Sequence, residues 1–278
     1  ELIAGRLGMD ERNQFLASMT DSVADLVLHN NKRQTQAISL AMHRSDQQHA
    51  EYQRFMAWLE DSDKLDRELE FLPTDDQLNE RLNRNQCLWT RPELAVLVCY
   101  SKVMLKEALL HADLLSEPWL ARSVANAFSS ELFSQYSEAV AEHQLRAEII
   151  ATQLANDLVD RMGFSFCFRQ MESTGVSAGE VVRAYTMAIN ILGIDQLWLE
   201  IESDTYLAAD VQLDLLHMVI RLVRRTTRWF LRNRRLSLDC GLIIEQFTEP
   251  MLAIIEHIKK RDQPEWVELW EMEKDALI

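Results

Sequence analysis

The chain has 278 residues, 47% of them apolar, enough for one large domain or two small ones with a proper core. Only 7 Gly and 5 Pro occur, which argues against a sheet-and-turn architecture and against glycine-rich phosphate loops. A formal net charge of −15 disfavours non-specific nucleic-acid binding by the whole surface, and no apolar run approaches the roughly 20 residues of a membrane helix.

From residue 10 to 43 the spacing predicts one long or kinked helix, with Leu16, Met19, Val23, Leu26 and Val27 on one stripe. Ser45 and Gln48 then make an S-x-x-Q box before a second helix carrying Tyr52, Phe55, Met56 and Leu59. Residues 61–89, with their Asp, Asn and Pro, are the best candidate for a subdomain joint. Within them Thr74 and Gln77 repeat the box after Pro73.

Thr90 and Glu93 have the spacing of a further capping box, and Pro92 falls in the first turn, where its missing N–H would have no intrahelical partner anyway. Leu94, Leu97, Val98, Ser101, Leu105 and Ala108 follow at three-and-four spacing, with Lys102 and Lys106 on another face. A break is expected at Ser116-Glu117-Pro118. Residues 130–162 hold the longest clear pattern, with Ala147, Ile150, Ala151, Leu154, Leu158 and Met162 on one face and Gly163 as a stop. Ser177 and Glu180 form another box, and Gly193 another stop. A long helix is expected over about 208–235, then helices over about 240–260, kinked near Pro250, and 264–276. The fold class is all-α, a multi-helix bundle-like array without significant β-sheet, and no fixed-period repeat is present.

"RLVRRTTRWFLRNRR", residues 221–235, holds seven arginines and no acid; without them 22 Lys and Arg stand against 44 Asp and Glu. Arg221, Arg224, Arg225, Arg228, Arg232 and Arg235 share a broad helical face, with Trp229 and Phe230 beside them. Arginine forks match phosphates, so the patch is a candidate anion or nucleic-acid surface. The favoured reading is salt-bridging to the chain's own acids or to a neighbouring domain or subunit, because the acidic body repels nucleic acid.

Gln153, Asn156, Asp157 and Asp160 lie on an otherwise apolar helix, and are expected at its solvated edge or in inter-helix hydrogen bonds. Asp214 with His217, and Glu107 with His111, are helical neighbours without the further ligands that a metal centre needs. Cys87, Cys99, Cys167 and Cys240 form no C-x-x-C pair and read as ordinary reduced cysteines, consistent with a cytoplasmic protein. The seven tryptophans read as packing residues at helix ends. Neither a G-x-S-x-G elbow nor a G-x-G-x-x-G loop occurs.

Several blocks together resemble the C-terminal region of the large bacterial NAD-dependent glutamate dehydrogenases. They are "MTDSVADLVLHNNKRQTQAISLA" (19–41), "LDRELEFLPTDDQL" (65–78), "LWTRPELAVLVCYSKVMLKEALL" (88–110), "EIIATQLANDLVDRMGFSFCFR" (148–169) and "TRWFLRNRR" (227–235). They stand in that family's order and cover most of the chain from about 10 to 235. The resemblance implies a parent that converts L-glutamate, NAD⁺ and water to 2-oxoglutarate, ammonium and NADH by hydride transfer. Its catalytic and NAD-binding motifs match nothing here, so no catalytic, cofactor-binding or metal residue is assigned. The resemblance further implies that the chain begins about where the catalytic core ends. It suggests an N-terminal helical segment over 1–85 and a C-terminal helical domain over 86–278. The expected partners are the catalytic core of the same polypeptide and further copies in a homo-oligomer, with no nucleic acid and no membrane. A regulatory module binding an anionic metabolite or nucleotide on the Arg221–Arg235 helix is the alternative.

Overall fold

The computed structural model of the protein describes residues 8–112, 117–234 and 239–260. Among the described residues the chain is all-α, as expected, with no strand. The helices are α1 (Met9–Ser18), α2 (Thr20–His43), α3 (Ser45–Asp61), α4 (Asp75–Asn83) and α5 (Arg91–Leu110). Next come α6 (Pro118–Ala121), a 3-10 segment (Arg122–Ala127), α7 (Ser130–Ala141), α8 (Arg146–Met162) and α9 (Phe166–Thr174). The last four are α10 (Ala178–Leu192), α11 (Ile194–Ser203), α12 (Ala209–Asn233) and α13 (Cys240–Lys260). The helix expected over 264–276, with Trp266 and Trp270, lies outside the described residues, as does Ser116.

α10 is the centre of the array and touches α5, α8, α9, α11, α12 and α13. Val181, Val182, Ala184, Met187, Ala188 and Ile191 are buried over most of its circumference, leaving a face with Arg183, Thr186 and exposed Asn190 less covered. α5 lies along α8, joining Leu94, Leu97, Leu105 and Leu109 to Ile150, Ala151, Leu154 and Leu158 in one core. Leu109 takes the inward place expected of Ala108, which is exposed. Ser101, the polar member of the α5 stripe, is satisfied there by donating to the Phe164 carbonyl at 2.8 Å. The stretch 61–89 is drawn into the same core by Leu65, Leu72, Leu78, Leu88 and Trp89.

Three of the expected boxes form: Thr74, Ser177 and Thr90 each accept from the backbone N–H three residues on, and each N3 side chain reaches back. The box expected at Ser45 does not. α2 and α3 are separated only by Arg44, at φ −115° and ψ 14°, so no residue has the extended geometry of an N-cap. Ser45 is buried as the first helical residue, and Gln48 instead accepts from the Tyr52 hydroxyl at 2.8 Å.

The helix expected over 10–43 is broken at Met19, which is buried and accepts a hydrogen bond at its sulfur from the Ser129 hydroxyl at 3.3 Å. The stripe expected beside it is mostly uncovered: Leu26 is half-buried, but Leu16, Val23 and Val27 are exposed. Residues 130–162 divide into α7 and α8 at a turn in which the Arg146 N–H donates to the His143 carbonyl at 2.9 Å.

Candidate functional site on the arginine helix

α12 is strongly amphipathic. Leu216, Val219, Val223, Thr227, Phe230 and Leu231 are buried, largely against α10. At about 100° per residue the arginines fall on the opposite face. Arg225 and Arg232 are exposed, and Arg221, Arg224 and Arg228 are half-buried. Arg235 lies outside the described residues. Salt-bridging to the chain's own acids is not what the structure shows. Among the described residues, none of Arg221, Arg224, Arg225, Arg228 and Arg232 forms an ion pair. Asp214, the acid preceding them on the same helix, is held by His43 and Arg44 at 3.0 and 3.2 Å.

Exposed apolar residues border the arginines, with Met218, Leu222 and Trp229 along one edge. Trp229 packs in T-shaped contact with Phe230 and Phe247 but remains 45% exposed. At the other edge Arg224 enters a small cavity of about 40 Å³ shared with Gln48, Glu51, Ser165, Arg169 and His217. Glu51 is already occupied there, accepting from Ser165 and from Arg169, both at 2.6 Å. Burial, with Arg169 close by, pulls the Arg224 guanidinium below its ordinary pKa. Burial also pulls His217 down to about 4, while its Nδ1 bonds the Leu213 carbonyl at 2.8 Å. Reading along the sequence could not find this group, because Glu51 and Arg169 come from α3 and α9, 118 residues apart.

Asp157 and Asp160 of α8 act between helices. Asp157 pairs with Arg33 of α2 at 2.8 Å and with Arg161 at 3.3 Å, and accepts from the Tyr185 hydroxyl of α10 at 2.8 Å. Burial opposes ionisation of Asp157, but Arg161 and Arg33 outweigh it and hold the carboxyl below its usual range. These residues line a cleft of about 1090 Å³ walled by α2, α8, α10, α11 and the segment from α6 through the 3-10 turn to α7, with Gln153 at its side. Asp160 pairs with Lys102 at 2.6 Å.

The other candidate pairs disperse. Glu107 binds Lys64 at 3.1 Å, and Asp214 bonds His43 and Arg44 with the His217 ring 5.6 Å from that of His43. Among the described residues no three His, Cys, Asp or Glu side chains gather as metal ligands, and no helix is long and apolar enough to cross a membrane. The four cysteines are free, Cys87 and Cys99 exposed, Cys167 and Cys240 buried.

Fold and surface together define an all-helical array with paired internal charges and one outward, unpaired arginine face. The family model described as "Glutamate dehydrogenase, C-terminal" matches residues 86–278, and "Bacterial NAD-glutamate dehydrogenase, catalytic domain" matches residues 1–41. The chain belongs to the bacterial NAD-glutamate dehydrogenase family. It is 43% identical over 269 residues to the NAD-specific glutamate dehydrogenase of Pseudomonas aeruginosa, covering 96% of this chain and 16% of that protein. With the protein of the same description from Halomonas elongata the identity is 42% over 275 residues, covering 99% and 17%. With that from Mycobacterium tuberculosis it is 32% over 255 residues, covering 90% and 15%. The chain thus spans about a sixth of the length of these relatives.

Proposed function

We propose that the chain is the C-terminal helical part of a large NAD-dependent glutamate dehydrogenase. The full polypeptide oxidatively deaminates L-glutamate to 2-oxoglutarate and ammonium with reduction of NAD, in the cytoplasm and as a homo-oligomer. Within it this part packs on the catalytic core or on a neighbouring subunit and performs no chemistry of its own. The described residues hold no strand-to-helix glycine turn to cradle a dinucleotide, so no residue here is assigned to NAD. The observation that carries the packing role is the α12 face, where unpaired arginines stand beside exposed Met218, Leu222 and Trp229. That composition suits a protein–protein contact, in which Trp, Met and Arg are enriched.

The test is glutamate-dependent NADH production by the full-length protein and by residues 1–278 alone. Activity in the full chain only is expected; turnover by the segment alone overturns the reading. Arg225→Glu with Trp229→Ser in the full-length protein should change its assembly in light scattering or its activity. A full-length protein unaffected in both respects argues against a contact there.

A second reading keeps the basic helix from Arg221 to Arg235 as the site of an anionic metabolite or nucleotide, supported by the exposed and half-buried arginines of α12. Thermal shift with phosphate, nucleotides and dicarboxylates tests it, since a ligand at 100 times its dissociation constant adds about 2.7 kcal/mol. No shift with any of them removes it.

A further inference from the structure

α2 carries two unlike faces. Toward the array, Ala37, Leu40 and Ala41 are buried at its C-terminal end, Arg33 reaches Asp157, and Ser22 donates to Glu131 of α7 at 2.8 Å. At about 100° per residue His29 and Arg33 fall on this inward side and Asp25 at its edge, while exposed Asp21 and Lys32 lie beyond it and border the outward face. The face of about 140° between Val23 and Leu28, from Thr20 to Thr35, carries none. It presents Thr20, Val23, Ala24, Val27, Leu28, Asn31, Gln34 and Thr35, all exposed, with Val23 at 45%, Val27 at 53% and Leu28 at 65%. In a chain with 26% charged residues, a solvated helix face would carry charge. Sixteen residues extend about 24 Å, long enough for an inter-domain contact.

We propose that this uncharged strip of α2 is covered, in the full-length polypeptide, by the rest of its catalytic domain. The occupant follows from the match of residues 1–41 to the catalytic-domain family, although α2, most of which lies within that match, is itself packed on the helical array. α2 is then a continuous strut shared by both parts: its inner face is bolted through Arg33 and Ser22 to α8 and α7, and its outer face closes the catalytic domain. Leu252, Ile254 and Ile258 of α13 are exposed as well but fall outside the catalytic match, so they are not assigned to this partner. The inference rests on the packing role proposed above, yet its test does not read dehydrogenase activity.

The experiment places the photoreactive p-benzoylphenylalanine at Val27 in the full-length protein, with Val103, an exposed residue of α5, as the control position. Illumination is expected to give intramolecular cross-links from position 27 to peptides of the catalytic domain lying N-terminal to this chain, at least tenfold above those from position 103. Cross-links between two copies would assign the strip to a subunit interface instead and overturn the proposal, as would cross-links confined to residues 1–278 or none at all. A second readout is hydrogen exchange. Val23→Lys with Val27→Lys in the full-length protein should speed exchange across residues 20–35 at least tenfold, whereas unchanged exchange shows a solvated face and also overturns it. If glutamate turnover is missing but the cross-link forms, the functional reading fails and the docking stands.

Discussion

Arg81 of α4 grips both carboxylate oxygens of Glu93, at 3.0 and 2.8 Å, while one of those oxygens also accepts the Thr90 N–H at 2.7 Å. The same Arg81 donates to the Leu88 carbonyl at 2.9 Å. The capping box that starts α5 is therefore clamped from a second helix, and the Pro92 turn is held on the side facing the core. A local helix signal has become a tertiary joint.

Arg81→Ala is expected to cost about 3 kcal/mol, since it strands a buried carboxylate on its capping duty. Burial pushes the Glu93 carboxyl up, but Arg81 and Thr90 together leave it below its ordinary value. Its contribution is thus present above the unfolded pKa of about 4.3 and is lost as pH falls below it. Urea midpoints at pH 7 and pH 3.5 should converge between wild type and Arg81→Ala; a constant gap would contradict this.

Lys102 and Asp160 pair at 2.6 Å with Asp160 almost wholly buried. Burial, only partly offset by Lys102, raises the Asp160 pKa. This group therefore favours the fold most below its unfolded pKa and loses that contribution as pH rises through the raised value, opposite in sign to Glu93. Lys102→Met is expected to destabilise by roughly 3–5 kcal/mol at neutral pH, and adding Asp160→Leu should recover most of it. Failure of the second substitution to rescue would show that Asp160 has a role beyond answering Lys102.

His217 faces Arg44, His43 and Asp214 and is held neutral in the fold down to about pH 4. The unfolded chain takes up that proton near 6.5, so stability is complete above 6.5 and falls between 6.5 and 4. His217→Asn should flatten the stability curve across that window in denaturant titrations, leaving the region below pH 4 governed by carboxylates such as Glu93.

Gly193 ends α10 and opens α11 at φ +62°, with no atom within 4 Å of a would-be Cβ. Gly193→Ala should therefore cost only backbone strain, about 1 kcal/mol, and Gly193→Asn less. A loss several times larger in thermal melts would point to an unfilled partner at that turn.

What the sequence determined by itself was local and periodic. Thr90 with Glu93, Ser177 with Glu180, and the stops at Gly163 and Gly193 were legible because each signal acts within one helical turn. The 3.6-residue period likewise placed the α12 arginines on one face, and several ordered blocks sufficed to recognise the family. Two local signals were overruled by packing: Ser45 could not cap where a single residue joins α2 to α3, and Met19 was bent inward to meet Ser129. Only the tertiary structure decided which charges find partners. Arg33 reaches Asp157 across 124 residues and Arg169 reaches Glu51 across 118, while among the described residues Arg221, Arg224, Arg225, Arg228 and Arg232 of α12 form no ion pair, although Arg224 shares a cavity with Glu51. Ionic pairing depends on distances of a few ångströms between helices remote in the chain, and helix periodicity carries no information about those distances.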